Sequence, residues 1–185
     1  MAAASGKAAR PRDATPTATA TTLDEVLTAA VGDAVLPESL GAAGRADATA
    51  AFLTWIADYR PVSEEMHGYG YAEIRYTPSD PAPGWNAQLA GLDLLARATQ
   101  KRGFVALDVE TRRALLTTQL SRVAGSRLPS NPLTAPHVAI ALLAHWAASS
   151  AATDLAYGAR VVAGNCRPLA ETVRRPLPLA EGTAR

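Results

Sequence analysis

A single cysteine, Cys166, stands among the 185 residues. It excludes an internal disulfide and any zinc cluster built on cysteines. Lysine is nearly missing: with Lys7 and Lys101 alone, the other 16 of the 18 basic residues are arginine. Against 17 acidic residues they leave a formal net charge of +1, too even a balance for an electrostatic footprint on nucleic acid or an anionic membrane. Large anchors are scarce, at two Phe, three Trp, five Tyr and two Met. A core must therefore come from Leu, Val and Ala on closely packed helices. No apolar run approaches the roughly 20 residues of a membrane span. Several chemical signatures are missing as well. There is no Gly-x-Ser-x-Gly elbow, no phosphate-binding glycine loop, no dinucleotide fingerprint and no His-Glu-x-x-His pair.

What is present organises into three parts. Residues 1–21 are rich in Ala, Thr and Pro and predict a disordered or extended tail. Lys7, Arg10 and Arg12 are basic, but no apolar segment follows them, so the N-terminus as it stands does not read as a signal peptide and predicts a cytoplasmic chain. Residues 22–165 predict one all-α domain of about five helices, and residues 166–185, with Pro168, Pro176 and Pro178, an extended arm. The usage of Arg, Ala and Pro resembles that of a GC-rich bacterium.

The first helix is expected from about 22 to 35. Thr22 and Glu25 have capping-box spacing, and Leu23, Val26, Leu27, Ala30 and Val31 recur at helical intervals. A second, about 45–59, carries Phe52, Trp55, Ile56 and Tyr59 on one stripe. A third, about 84–102, buries Trp85, Leu89, Leu92 and Leu95 or Ala96, with Gly103 as its C-terminal glycine. Asp108 caps a fourth over about 109–124, with Leu116, Leu120 and Val123 inward. The fifth and most apolar begins near Pro136 and runs to Ser150 or on to Tyr157, before Gly158.

Between the second and third helices lies a long connection, 61–83, with an aromatic, glycine-rich stretch: His67-Gly68-Tyr69-Gly70-Tyr71, then Tyr76, with Trp85 following at the start of the third helix. Tyr71–Tyr76 alternates weakly, but with no obvious pairing partner the expectation is an irregular loop. Loops of this length in a compact domain are usually functional or disordered, and the aromatic content argues against disorder. Two readings stand side by side: the rings fold back on their own core, or they form a partner interface. Tyr, Trp and Arg are enriched in interfaces, and Arg75 is adjacent. The interface candidates are His67, Tyr69, Tyr71, Arg75, Tyr76 and Trp85, joined by Leu169 and Leu177 of the arm.

Chemistry has weaker support. His137 and His145 are eight residues apart on one expected helix, about 80° apart around its axis, and with His67 would make a metal or catalytic site. No carboxylate accompanies them at ligand spacing, and histidines bonded within the fold explain them as well. Glu64 and Glu65 read as a solvated pair or a general base, and Cys166 as a structural or a reactive thiol. A third class is a free-standing homodimeric helical adaptor.

The order of these features resembles a known family. An early helix leads into Ala34-Val35-Leu36-Pro37 and is followed by a Phe/Trp helix. Gly103-Phe104 comes after the third helix, then Leu107-Asp108-x-x-x-Arg112-x-x-Leu115-Leu116. The last main helix ends at Tyr157-Gly158 before a Gly/Pro-rich tail. Over about 23–168 this is similar to the gluconate 2-dehydrogenase subunit 3 family. The resemblance implies a non-catalytic small subunit that binds and stabilises a large FAD-dependent sugar or alcohol oxidoreductase of the glucose-methanol-choline type. A cytochrome c subunit is an optional third component. FAD would sit in the partner, with no cofactor, metal or catalytic residue in this chain. Family members are often exported with a twin-arginine signal; Arg10-Pro11-Arg12 is not one, so an exported form would have had its signal removed.

Overall fold

The computed structural model describes residues 22–68, 71–121, 123, 125 and 127–159, with backbone alone at 64–68, 71–73 and 75. The body is all-α. Its described helices are α1 (Glu25–Val35), α2 (Gly41–Ala57), α3 (Ala82–Gln100), α4 (Val109–Leu120), α5 (Val138–Ala147) and α6 (Ser150–Tyr157), with short 3-10 turns at Glu38–Leu40, Phe104–Ala106 and Pro132–Thr134. Inserted between α2 and α3 is an antiparallel hairpin of β1 (Ser63–Gly68) and β2 (Tyr71–Tyr76).

α5 is the central helix. Its residues Val138 to Leu142 and Ala144 are all buried, as an element without a polar face must be. α1 and α2 pack on it and on each other. Small residues let the last pair approach closely: a Cβ added to Gly32 would run into the Thr49 hydroxyl, which itself donates to Arg45 O at 2.8 Å. α3 contributes Trp85, Leu89, Leu92 and Ala96 to the core, the face its spacing predicts. Phe52 and Phe104, both fully buried, complete it.

Several local expectations change. Asp24, not Thr22, caps α1, its side chain accepting the Leu27 N–H at 2.9 Å; the Thr22 carbonyl accepts instead from Asn86 Nδ2 on α3. Val26 faces outward at 63% exposure, and Val123, past the end of α4, is 47% exposed. The left-handed residue that ends α3 is Lys101 (φ 58°), not Gly103. Gly103 is needed for another reason: Asp93 Oδ1 would lie 2.9 Å from its Cβ, because that oxygen accepts the Phe104 N–H at 2.8 Å. Asp108 caps α4 as expected. The fifth helix does not run on to Tyr157. It breaks at Ala148 and bends by 66° into α6, with the Ser149 hydroxyl capping the new start, and Gly158 (φ 60°) then ends α6.

The long connection is a hairpin rather than an irregular loop. Ser63-Glu64-Glu65-Met66-His67-Gly68 is the partner that Tyr71–Tyr76 needed, paired from Ser63↔Tyr76 to Gly68↔Tyr71. Only Tyr69 and Gly70 lie between the strands.

Candidate functional site

The hairpin rises from a stem that local sequence builds. α2 ends at Ala57, and Pro61 and Pro78 flank the entering and leaving chains, each without a backbone N–H to extend a helix or a ladder. Thr77 then closes the base. Its N–H donates to Val62 O at 2.9 Å, its hydroxyl donates to the same oxygen at 2.9 Å, and that hydroxyl accepts the Val62 N–H at 2.7 Å. Tyr59, at the end of α2, reaches across to donate its hydroxyl to Pro78 O at 2.5 Å. The threonine thus closes the stem, and the phenol ties it to the end of α2.

Beyond the stem, contacts among the described residues are dominated by the pairing of the two strands with each other. Ile74 is 56% exposed, Tyr76 78% and Val62 49%. A two-stranded hairpin is marginal in water unless its face is covered, and apolar side chains left uncovered together mark an interaction surface. The pairing at Val62 and Thr77 fixes the alternation. Ser63, Glu65 and His67 on β1 share a face with Ala72, Ile74 and Tyr76 on β2, while Glu64, Met66, Tyr71, Glu73 and Arg75 occupy the other.

Of the interface candidates, the hairpin carries His67, Tyr71, Arg75 and Tyr76; Tyr69, Leu169 and Leu177 lie outside the described residues, as does Cys166. Trp85 leaves the set. It is 3% exposed and packs its ring 5.7 Å from that of Phe52, as a core residue of α3. Ile74, more than half exposed, was missed by the sequence reading; the alternation of Tyr71–Tyr76 was the signal that would have found it.

The histidines do not converge. His137 starts α5 and accepts the Ala139 N–H on Nδ1 at 3.1 Å, and burial pushes its pKa below 6.5. It borders a cavity of about 220 Å³ with Gln88 and Gln119. His145, near the other end of α5, lies with its ring 4.9 Å from Trp55 and 5.6 Å from Phe52, and burial lowers its pKa too. It borders a different cavity, of about 280 Å³, with Leu40 and Trp146. His145 Nδ1 and Trp146 Nε1 are both buried without a hydrogen-bond partner among the described residues. Glu64 and Glu65 stand on β1. Among the described residues, no three His, Cys, Asp or Glu side chains come together as metal ligands do, and no single helix is long and apolar enough to cross a membrane.

A groove of about 520 Å³ lies between α1 and α2, walled by Val26, Ala29, Leu53 and Val105. At its base Asp33 meets Arg45 at 3.5 Å and Arg112 at 3.8 Å, and Arg112 also donates to Phe104 O and Val105 O. Those two arginines join α1, α2 and the Phe104 turn.

Compared with models of protein families, with curated proteins and with solved structures, the chain matches none of them.

Proposed function

We propose that this chain is a non-catalytic small subunit that docks on a larger protein and stabilises it, with the β1–β2 hairpin as docking element. One observation carries the reading: the hairpin leaves the helical body through a bonded stem and holds Ile74 and Tyr76 largely uncovered. Tyrosine is enriched in interface hot spots, and Ile74 shares the face of Tyr76. The resemblance in the order of helices and turns names the partner class, a large FAD-dependent oxidoreductase that oxidises a sugar or alcohol. The flavin belongs to that partner. Binding the native partner and not its unfolded chain shifts the partner's folding equilibrium by mass action. An obligate interface of that kind buries on the order of 2,000 Å² or more, so helical surface beside the hairpin contributes.

The test is affinity purification of the tagged chain from its own host, in parallel with an Ile74→Asp, Tyr76→Ala variant. The expected result is an equimolar complex with one larger protein that shows flavin absorbance, lost in the variant while its thermal unfolding stays unchanged. A colourless chain recovered alone, or a variant that retains the partner, overturns the reading.

A further inference from the structure

Among the described residues, β2 has β1 on one side and no strand on the other. Thr77 donates its N–H to Val62 O, so from that pair outward the ladder alternates, and the N–H and C=O groups of Ala72, Ile74 and Tyr76 point away from β1. A row left unpaired among the described residues is a template for another strand. The β1 edge offers the corresponding groups of Ser63, Glu65 and His67, but pairing β1 with its own copy about Glu65 would oppose two carboxylates. β2 has no such block. Antiparallel pairing about Ile74 sets Ile74 against Ile74 and Ala72 against Tyr76, all positions with outward backbone groups, so the hydrogen bonds match. The same register sets Glu73 opposite Arg75, twice, on the other face.

We infer that two copies of this chain join edge to edge at β2, Ile74 facing Ile74, to form a four-stranded antiparallel sheet. The chain enters and leaves the hairpin at the Ser63/Tyr76 end, so antiparallel pairing sends the two helical bodies to opposite ends of the sheet. The two-fold axis stands perpendicular to the sheet and brings Ile74 and Tyr76 of both copies onto one face. A six-residue edge is small by the standard of permanent interfaces, so the pair is a weak, concentration-dependent dimer. This inference does not rest on the flavoprotein reading, because it concerns the chain alone.

Sedimentation of the purified full chain over a wide concentration range tests it. The expected result is a reversible monomer–dimer equilibrium. Ile74→Pro removes an outward N–H that β1 does not use and is expected to abolish the dimer. Glu73→Arg places like charges opposite each other and is expected to weaken it by about tenfold or more. E64Q/R75E, in which Glu64 is neutralised because it opposes Arg75 within the hairpin, is weakened likewise. An equimolar mixture of E73R with E64Q/R75E restores Glu–Arg oppositions and is expected to associate as well as the unaltered chain. A monomer at every concentration, a dimer that survives Ile74→Pro, or a mixture that stays apart overturns the inference. The mixture keeps the test decisive should the proline variant misfold.

Discussion

At Gly32 the side chain of α1 is reduced to a hydrogen because Thr49 of α2 occupies the space a methyl group would need. Both residues are buried. Gly32→Ala therefore overpacks the α1–α2 contact and is expected to lower unfolding stability by about 1–3 kcal/mol, read from chemical denaturation. Thr49→Ala in the same chain should recover much of the loss, since it removes the colliding hydroxyl. At His145 the strain is polar. The imidazole lies tilted against Trp55 and edge-on to Phe52, with Nδ1 unbonded among the described residues, the costly way to bury a polar atom. Phenylalanine keeps the ring and discards the orphaned nitrogen. His145→Phe is expected to raise stability at neutral pH by about 1 kcal/mol, checked by the same denaturation curves.

Among the elements, the helices were the legible part and their ends the illegible part. Spacing found the buried faces of α2 and α3, where large side chains recur at helical intervals. Caps were harder, because Thr22 and Asp24 are both good candidates and only the fold's use of Thr22 O for Asn86 decides between them. The break between α5 and α6 lies in Trp146-Ala147-Ala148-Ser149-Ser150, where alanine hides any periodicity and one serine hydroxyl makes the new start. The hairpin was missed because β1 does not alternate: Glu64 and Glu65 are neighbours, so the strand exists by pairing with β2 and not by its own pattern. Its attachment is testable. Tyr59→Phe deletes the phenol bond to Pro78 O and is expected to lower the opening free energy of the hairpin by about 0.5–1.5 kcal/mol. Amide hydrogen exchange should show faster exchange at Thr77 and along the strands, with α5 unchanged.

Taken whole, the molecule is expected to lose stability in acid in two stages. His137 and His145 have folded pKa values pushed below 6.5 by burial. The unfolded chain then binds protons first, so their contribution is complete above about 6.5 and declines as pH falls from there through the depressed values. Glu38, held low by its hydrogen bond from Arg113, and Asp93, held low by Arg97 and the Phe104 N–H, act further down. Their contribution is present above the ordinary carboxylate range and is lost below it. Denaturation midpoints measured against pH should fall first below 6.5 and again below about 4.5, and His145→Phe should shrink the first step alone. The all-α body was readable at this scale from its apolar pattern. The candidate site was only half readable: its place in the chain was, but not that its rings and its Arg75 ride on a paired ribbon while Trp85 stays in the core.

The bonds between Val62 and Thr77 carry a topological meaning. They bring the two ends of the hairpin side by side at its base, so the backbone of the helical body is continuous in space across that point. Residues 63–76 are an insert in a chain that already closes without them. Excising them and bridging Val62 to Thr77 with a tight turn leaves the main contacts among the described helices in place, and the hairpin's sequence is free to drift, lengthen or be exchanged for another without renegotiating the core.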